Sequence, residues 1–187
     1  MLISRLSRPF KRLQAFLLLS MATFLPSCDQ VVGIIELHWQ LVDQSVSRKI
    51  LPSCELAATD SDGRRTLGLR VRLTVSLHNE ACKELADQPE CIVVQKLFSC
   101  DRARGTLIDV PGSGEDDYLM TVELLVDPGQ GESPFVPPLE CVSTPGPVKR
   151  QVHAGRITDL SVYQIIVHAI DLDQGKAYDL ERCGPSE

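Results

Sequence analysis

Leu69-Arg70-Val71-Arg72-Leu73-Thr74-Val75-Ser76-Leu77 decides how this chain folds. Apolar side chains fill every second position and polar ones the positions between, the period of a strand with one face on a core and one in water. The alternation returns on both sides of it. Upstream, Ile35, Leu37, Trp39 and Leu41 alternate with Glu36, His38 and Gln40; downstream, Tyr118, Met120, Val122, Leu124 and Val126 alternate with Leu119, Thr121, Glu123 and Leu125. Trp39 therefore belongs with the core and His38, in the opposite phase, with the solvent. Residues 92–100 and 106–110 read as a hairpin joined near 101–105, and residues 150–153, 156–160 and 161–170 as closing strands.

Turn signals stand between these runs: Asp62-Gly63, Pro111-Gly112, Gly114, Asp127-Pro128-Gly129 and Ala154-Gly155. No segment after residue 27 keeps helical spacing. The pattern predicts an all-β chain, an antiparallel β-sandwich of about seven or eight strands, over residues 34–170. One stretch breaks the rhythm: residues 127–147 hold six of the twelve prolines, together with Cys141. It reads as a long loop, and long loops in compact domains are often functional. Residues 171–187 read as a polar C-terminal tail, ordered as far as Cys183 ties it down.

The first 27 residues differ in kind. Arg5, Arg8, Lys11 and Arg12 are their only charges, and the apolar run at 13–25 is interrupted only by Gln14, Ser20 and Thr23. As a helix that run is ~20 Å long at ~1.5 Å per residue, short of the ~30 Å core of a bilayer. It reads as a signal peptide helix. Leu25-Pro26-Ser27-Cys28 resembles the bacterial lipobox. The resemblance implies a diacylglyceryl group on the Cys28 sulfur and cleavage between Ser27 and Cys28, with residues 28–33 left as a lipidated tether. Two acyl chains hold a protein stably at a membrane, so the expected address is the cell envelope, inner or outer membrane left open.

Loss of residues 1–27 removes four bases and no acids, leaving 15 Lys and Arg against 25 Asp and Glu, a formal charge of −10. Phosphate backbones and anionic lipid surfaces attract the opposite sign, so no nucleic acid is expected as a partner. The membrane is reached through lipid on Cys28, and an envelope protein is the remaining partner class.

Seven cysteines leave an odd thiol, but lipid on Cys28 leaves six: Cys54, Cys82, Cys91, Cys100, Cys141 and Cys183. Three disulfides suit an oxidising compartment, and six cysteines allow about 15 pairings. Cys82 and Cys91 bracket a mostly polar loop and are favoured as a staple across it. Cys54 precedes one strand-rich region and Cys100 ends a strand, which suits a cross-link within the sandwich; Cys141 and Cys183 pair by elimination.

A resemblance covers about residues 34–168. Trp39-Gln40-Leu41-Val42-Asp43, then Cys54, then Gly68-Leu69-Arg70-Val71, then Phe98-Ser99-Cys100, then a strand from Tyr118, and late Gly155-Arg156-Ile157-Thr158-Asp159-Leu160 follow the order of motifs in small lipoproteins common in myxobacteria. The resemblance implies an immunoglobulin-like or transthyretin-like sandwich with Cys54 joined to Cys100. It implies no activity. Cys82–Cys91 and the Pro-rich loop are departures from that pattern.

No catalytic constellation is legible. Pro111-Gly112-Ser113-Gly114 is a turn and no nucleophile elbow, and every cysteine has a use in a disulfide or in lipid. A hydrolase would have to assemble from distant strands, for instance around His153 or His168, because an activated serine needs a base within hydrogen-bond reach. No cofactor and no metal are expected. Zinc lacks spaced ligands. Calcium-like acidic runs are faulty: Asp60-Ser61-Asp62-Gly63 is followed by Arg64 and Arg65 where a ligand and a glycine belong, Asp171-Leu172-Asp173-Gln174-Gly175 has its glycine early, and Glu115-Asp116-Asp117 is a solvated turn. The expected function is a non-catalytic envelope lipoprotein with a structural or protein-binding role; a ligand-binding module using residues 127–147 is the alternative.

Overall fold

The computed structural model describes residues 31–61, 63–82, 88–129 and 131–185. Ser27 and Cys28, and with them the cleavage and lipidation expectations, lie outside the described residues. Strand β1 (Val32–Asp43) turns Ile35, Leu37, Trp39 and Leu41 inward, as its alternation requires, and leaves His38 exposed. It pairs antiparallel with β5 (Arg104–Pro111) on one side and parallel with β9 (Ile157–Val167) on the other. With β7 (Val142–Ser143) beyond β9, these make a four-stranded sheet in the order β5-β1-β9-β7.

The facing six-stranded sheet is built on β3 (Gly63–Leu77), the quoted run extended at its start. One edge of β3 carries β6 (Tyr118–Asp127). The other carries β2 (Glu55–Asp60) along its first half and β4 (Ile92–Ser99) along its second. β8 (Val148–Arg150) adds to β6, and β10 (Tyr178–Asp179) adds to β2. Among the described residues the only α-helix is α1 (Leu180–Cys183), and no helix is long and apolar enough to cross a membrane.

The two inner faces meet in one core containing Trp39, Val71, Leu73, Met120, Leu124 and Ile165. Burying each aliphatic side chain contributes ~1.5–3 kcal/mol, so the summed alternation, and no single contact, fixes which face is inside. On the outer face of the larger sheet the polar phase pairs with itself: Arg72 meets Glu123 at 2.8 Å and Arg70 meets Asp127 at 2.6 Å.

The all-β sandwich is as the sequence predicts, and five details differ. The sandwich is not wholly antiparallel, since β1 with β9 and β10 with β2 run parallel. β4 and β5 form no hairpin: β4 pairs with β3 in one sheet and β5 with β1 in the other, so the tight turn at Cys100–Arg102 is an arch between sheets. The expected strands at 156–160 and 161–170 are one strand with a bulge, where Ser161 takes a φ of 65° and two β9 residues, Leu160 and Ser161, oppose the single β1 residue between Glu36 and His38. A bulge shifts the inward phase by one position; Leu160 is buried before it, and Tyr163, Ile165 and Val167 after it. Finally, the expected strand at 150–153 ends at Arg150, and the expected polar tail enters the core, with Tyr178 fully buried and its hydroxyl donating to the Cys183 carbonyl at 2.9 Å. Burial pushes the pKa of that hydroxyl up.

Candidate functional site

Three disulfides fasten the places where strands end. Cys54–Cys100 lies on the β3 edge where β2 and β4 meet, and the Cys54 carbonyl accepts from the Leu69 amide at 2.8 Å. From the opposite sheet, Trp39 Nε1 donates to the Cys100 carbonyl at 3.3 Å, so the indole is both core and clasp. Cys82–Cys91 closes the excursion between β3 and β4, and Cys141–Cys183 joins the Pro-rich connection to α1.

That connection, residues 127–147, does not hang free. Phe135 exchanges two backbone hydrogen bonds with Val126 on the β6 edge, at 2.9 and 3.0 Å. A few residues later Val142 and Ser143 pair with β9 in the other sheet, and Val148–Arg150 returns to β6. Proline serves such a path because it fixes φ without needing a donor. The ligand-binding alternative asks for a deep apolar pocket beside this stretch. Among the described residues a cavity that reaches it, at Glu140 and Cys141, holds about 70 Å³ and is also lined by His168, Lys176 and Asp179. Ligand pockets are typically ~300–1,000 Å³.

The hydrolase alternative needs a serine beside a histidine, and the same place holds one. Ser143 Oγ lies 2.9 Å from His168 Nε2, the first two members of a nucleophile–base pair. No carboxylate hydrogen-bonded to His168 occurs among the described residues, and the neighbouring cavity has room for a few waters only. The contact ties β7 to the end of β9, just past the Ser143–Ile166 register. His153 is exposed on a loop, and its carbonyl accepts from the Arg156 amide.

The acidic run at 171–175 is bound up in its own loops. Asp171 Oδ1 accepts from the Asp173 and Gln174 amides at 3.0 and 3.1 Å, and Asp173 pairs with Lys49. That pairing lowers the Asp173 pKa and raises that of Lys49. Beside them Asp43, fully buried at the end of β1, accepts from the Ser45 hydroxyl (2.6 Å), the Ser45 and Lys49 amides (3.2 and 2.9 Å) and the Leu172 amide (2.9 Å). Burial raises its pKa, but the four donors outweigh burial and hold the carboxyl below the ordinary value of 3.8. These oxygens are spent on the protein's own donors, as are those of Asp60, which accepts from the Gly63 amide. Among the described residues no three His, Cys, Asp or Glu side chains gather as a metal site would need.

One feature was not singled out by the sequence. Beside the arch at Cys100–Arg102 a groove of about 510 Å³ opens between β4 and β5, lined by Lys96, Phe98, Arg102 and Arg104 among others. The three cations lie on different elements, so no motif marks them; the only signal is a cluster of bases within 96–104 of an acidic chain.

No family model matches the chain, and no curated protein matches it significantly. Among solved structures, the shaft pilin SpaA from Lactobacillus rhamnosus GG is similar in part. A double mutant aligns at 9% identity over 73% of this chain and 52% of that one, with a TM-score of 0.34. A single mutant aligns at 9% identity over 79% and 58%, with a TM-score of 0.35. The chain thus spans 52 to 58% of the length of these structures. A likeness this low bears on neither the fold nor the work of the present chain.

Proposed function

We propose that this chain is a membrane-anchored lipoprotein of the cell envelope, held through lipid on Cys28, whose disulfide-stapled sandwich does non-catalytic work as a structural or protein-binding module. The observation that carries the proposal is the use of the cysteines: six of the seven are paired within the fold, and Cys28, the one left over, follows a lipobox-like Leu25-Pro26-Ser27. Disulfides persist in oxidising compartments outside the cytoplasm. The likeness to small myxobacterial-type lipoproteins supports the same assignment. Cys28 stands four residues before Val32, and an extended chain reaches at most ~3.6 Å per residue, so β1 would begin within about 14 Å of the lipid.

The test is fractionation of bacteria producing the full chain and its Cys28→Ala variant. The unchanged protein goes with membranes and the variant is released to the soluble fraction. A variant retained in membranes as fully as the parent overturns the anchor.

A further inference from the structure

The arch at Cys100–Arg102 is too short to cover the side of the sandwich it crosses, and the edge left there has a definite hydrogen-bonding pattern. The Trp39 amide donates to the Ala103 carbonyl at 3.0 Å. In an antiparallel ladder bonded and non-bonded pairs alternate. Gly105 and Leu107 therefore exchange bonds with Leu37 and Ile35, while Arg104 and Thr106 turn their N–H and C=O groups away from β1. Among the described residues no strand pairs with β5 on that outer side. The Thr106 carbonyl is instead met at 3.1 Å by Lys96 Nζ, which reaches across from β4 over the Phe98 ring. A lysine ammonium stands where the N–H of a next strand would be.

Among the described residues β4, across the groove, likewise pairs on one side only, with β3, while the remaining sheet edges carry short additions. β8 and Phe135 lie along β6, β10 lies on β2, and β7 lies on β9. At the groove, Lys96, Arg102 and Arg104 make no ion pair with a carboxylate among the described residues. Of the acids nearby, Asp101 accepts from the Ser99 hydroxyl at 2.8 Å, and Glu36 lies opposite Thr106 on the outer face. Three unpaired cations on one groove of a chain with a net charge of −6 form a local reversal of sign.

We propose that the β4–β5 groove docks an extended, acidic segment of a partner protein, which adds to the free edge of β5 and sets its carboxylates against Lys96, Arg102 and Arg104. This deepens the protein-binding role proposed above and rests on it. Strand addition draws affinity from main-chain bonds and selectivity from side chains, and complementary charge raises the rate of encounter and rejects the wrong sign. The segment's own N–H replaces the Lys96 ammonium on Thr106, which frees that ammonium for a carboxylate. A polyanionic sugar would meet the same cations and leave the strand edge unused.

The experiment uses the full chain purified in a neutral detergent and a fluorescein-labelled ten-residue peptide of alternating Glu and Thr. The expected result is saturable binding by anisotropy that weakens as salt rises. It weakens roughly tenfold or more for the Arg102→Glu, Arg104→Glu double variant, as two charge reversals beside an anionic ligand require. A peptide of the same charge, N-methylated at every backbone amide, has no N–H on either edge to pair as a strand and binds correspondingly less. The Thr106→Pro variant, which loses an outward N–H without touching the β1 ladder, repeats that result from the protein side.

No saturable binding, or binding indifferent to the charge reversals, overturns the proposal. So does equal binding of the N-methylated peptide together with full competition by polygalacturonate, which assigns the groove to an anionic sugar. Membrane retention through Cys28 is read separately, so a protein that stays anchored and ignores the acidic peptide loses this site and keeps its envelope role.

Discussion

The two long sides of the sandwich are closed in opposite ways. On the β6–β9 side, a connection of some twenty residues runs along β6 at Phe135, crosses to β9 at Val142–Ser143, returns to β6 at Val148–Arg150 and is bonded to α1 through Cys141–Cys183. On the β4–β5 side the crossing takes one tight turn, and the strands on either side share no ladder. What the open side lacks in backbone bonds it recovers in aromatic packing: Trp39 and Phe98 lie with ring centroids 5.9 Å apart, and Gly105 lies so close to Phe98 that a Cβ there would come within 2.8 Å of the ring. A long connection can hydrogen-bond to both sheets. A short one leaves the edges exposed and must hold them together from inside.

That contrast can be broken at graded cost. Trp39→Ala removes the side chain that fills the open side and bonds to Cys100; it should cost about 3–5 kcal/mol, read as a lower urea midpoint. A loss under about 1 kcal/mol would mean that the open side does not depend on its aromatic core. Replacing Cys141 and Cys183 together by Ser should cost about 2–4 kcal/mol, by the same measurement. If stability is unchanged, the hydrogen bonds at Phe135 and Val142 suffice and the covalent tie is redundant. Gly105→Ala should cost about 1–3 kcal/mol by overpacking against Phe98; a neutral result would show a ring free to move aside, and a looser open side than the distances describe.

The long strands were legible because each carries its burial as a period of two, and 69–77, 35–41 and 118–126 read directly as β3, β1 and β6. Period says which face is buried and nothing about the neighbour. The parallel pairing of β1 with β9 was therefore invisible, and so was the fate of the turn at Cys100–Arg102, which reads alike whether the chain returns to its own sheet or crosses to the other. The bulge at Ser161 split one strand into two because it reverses the phase the eye follows. Asp109, with a φ of 59°, does the same within β5, where Leu107 and Val110 are both buried. Tyr178–Asp179 is a strand too short to show any period. Of the candidate site, the even number of cysteines was legible without Cys28. The basic groove was not, because it is made by the crossing of β4 to β5 that the alternation could not reveal.

The place of β1 at the centre of its sheet has a mechanical consequence. β5 lies along Val32–His38 and β9 along Ile34–Asp43, so β1 is held on both sides from Ile34 to His38, and the chain ahead of it enters at Val32, its first residue. A pull on that leading chain acts along β1, at right angles to the ladder bonds on both sides. These bonds then carry the load together, in shear, where a strand peeled from an edge would give them up one at a time. Whatever holds the leading end, the sandwich resists being drawn out by it with two ladders at once.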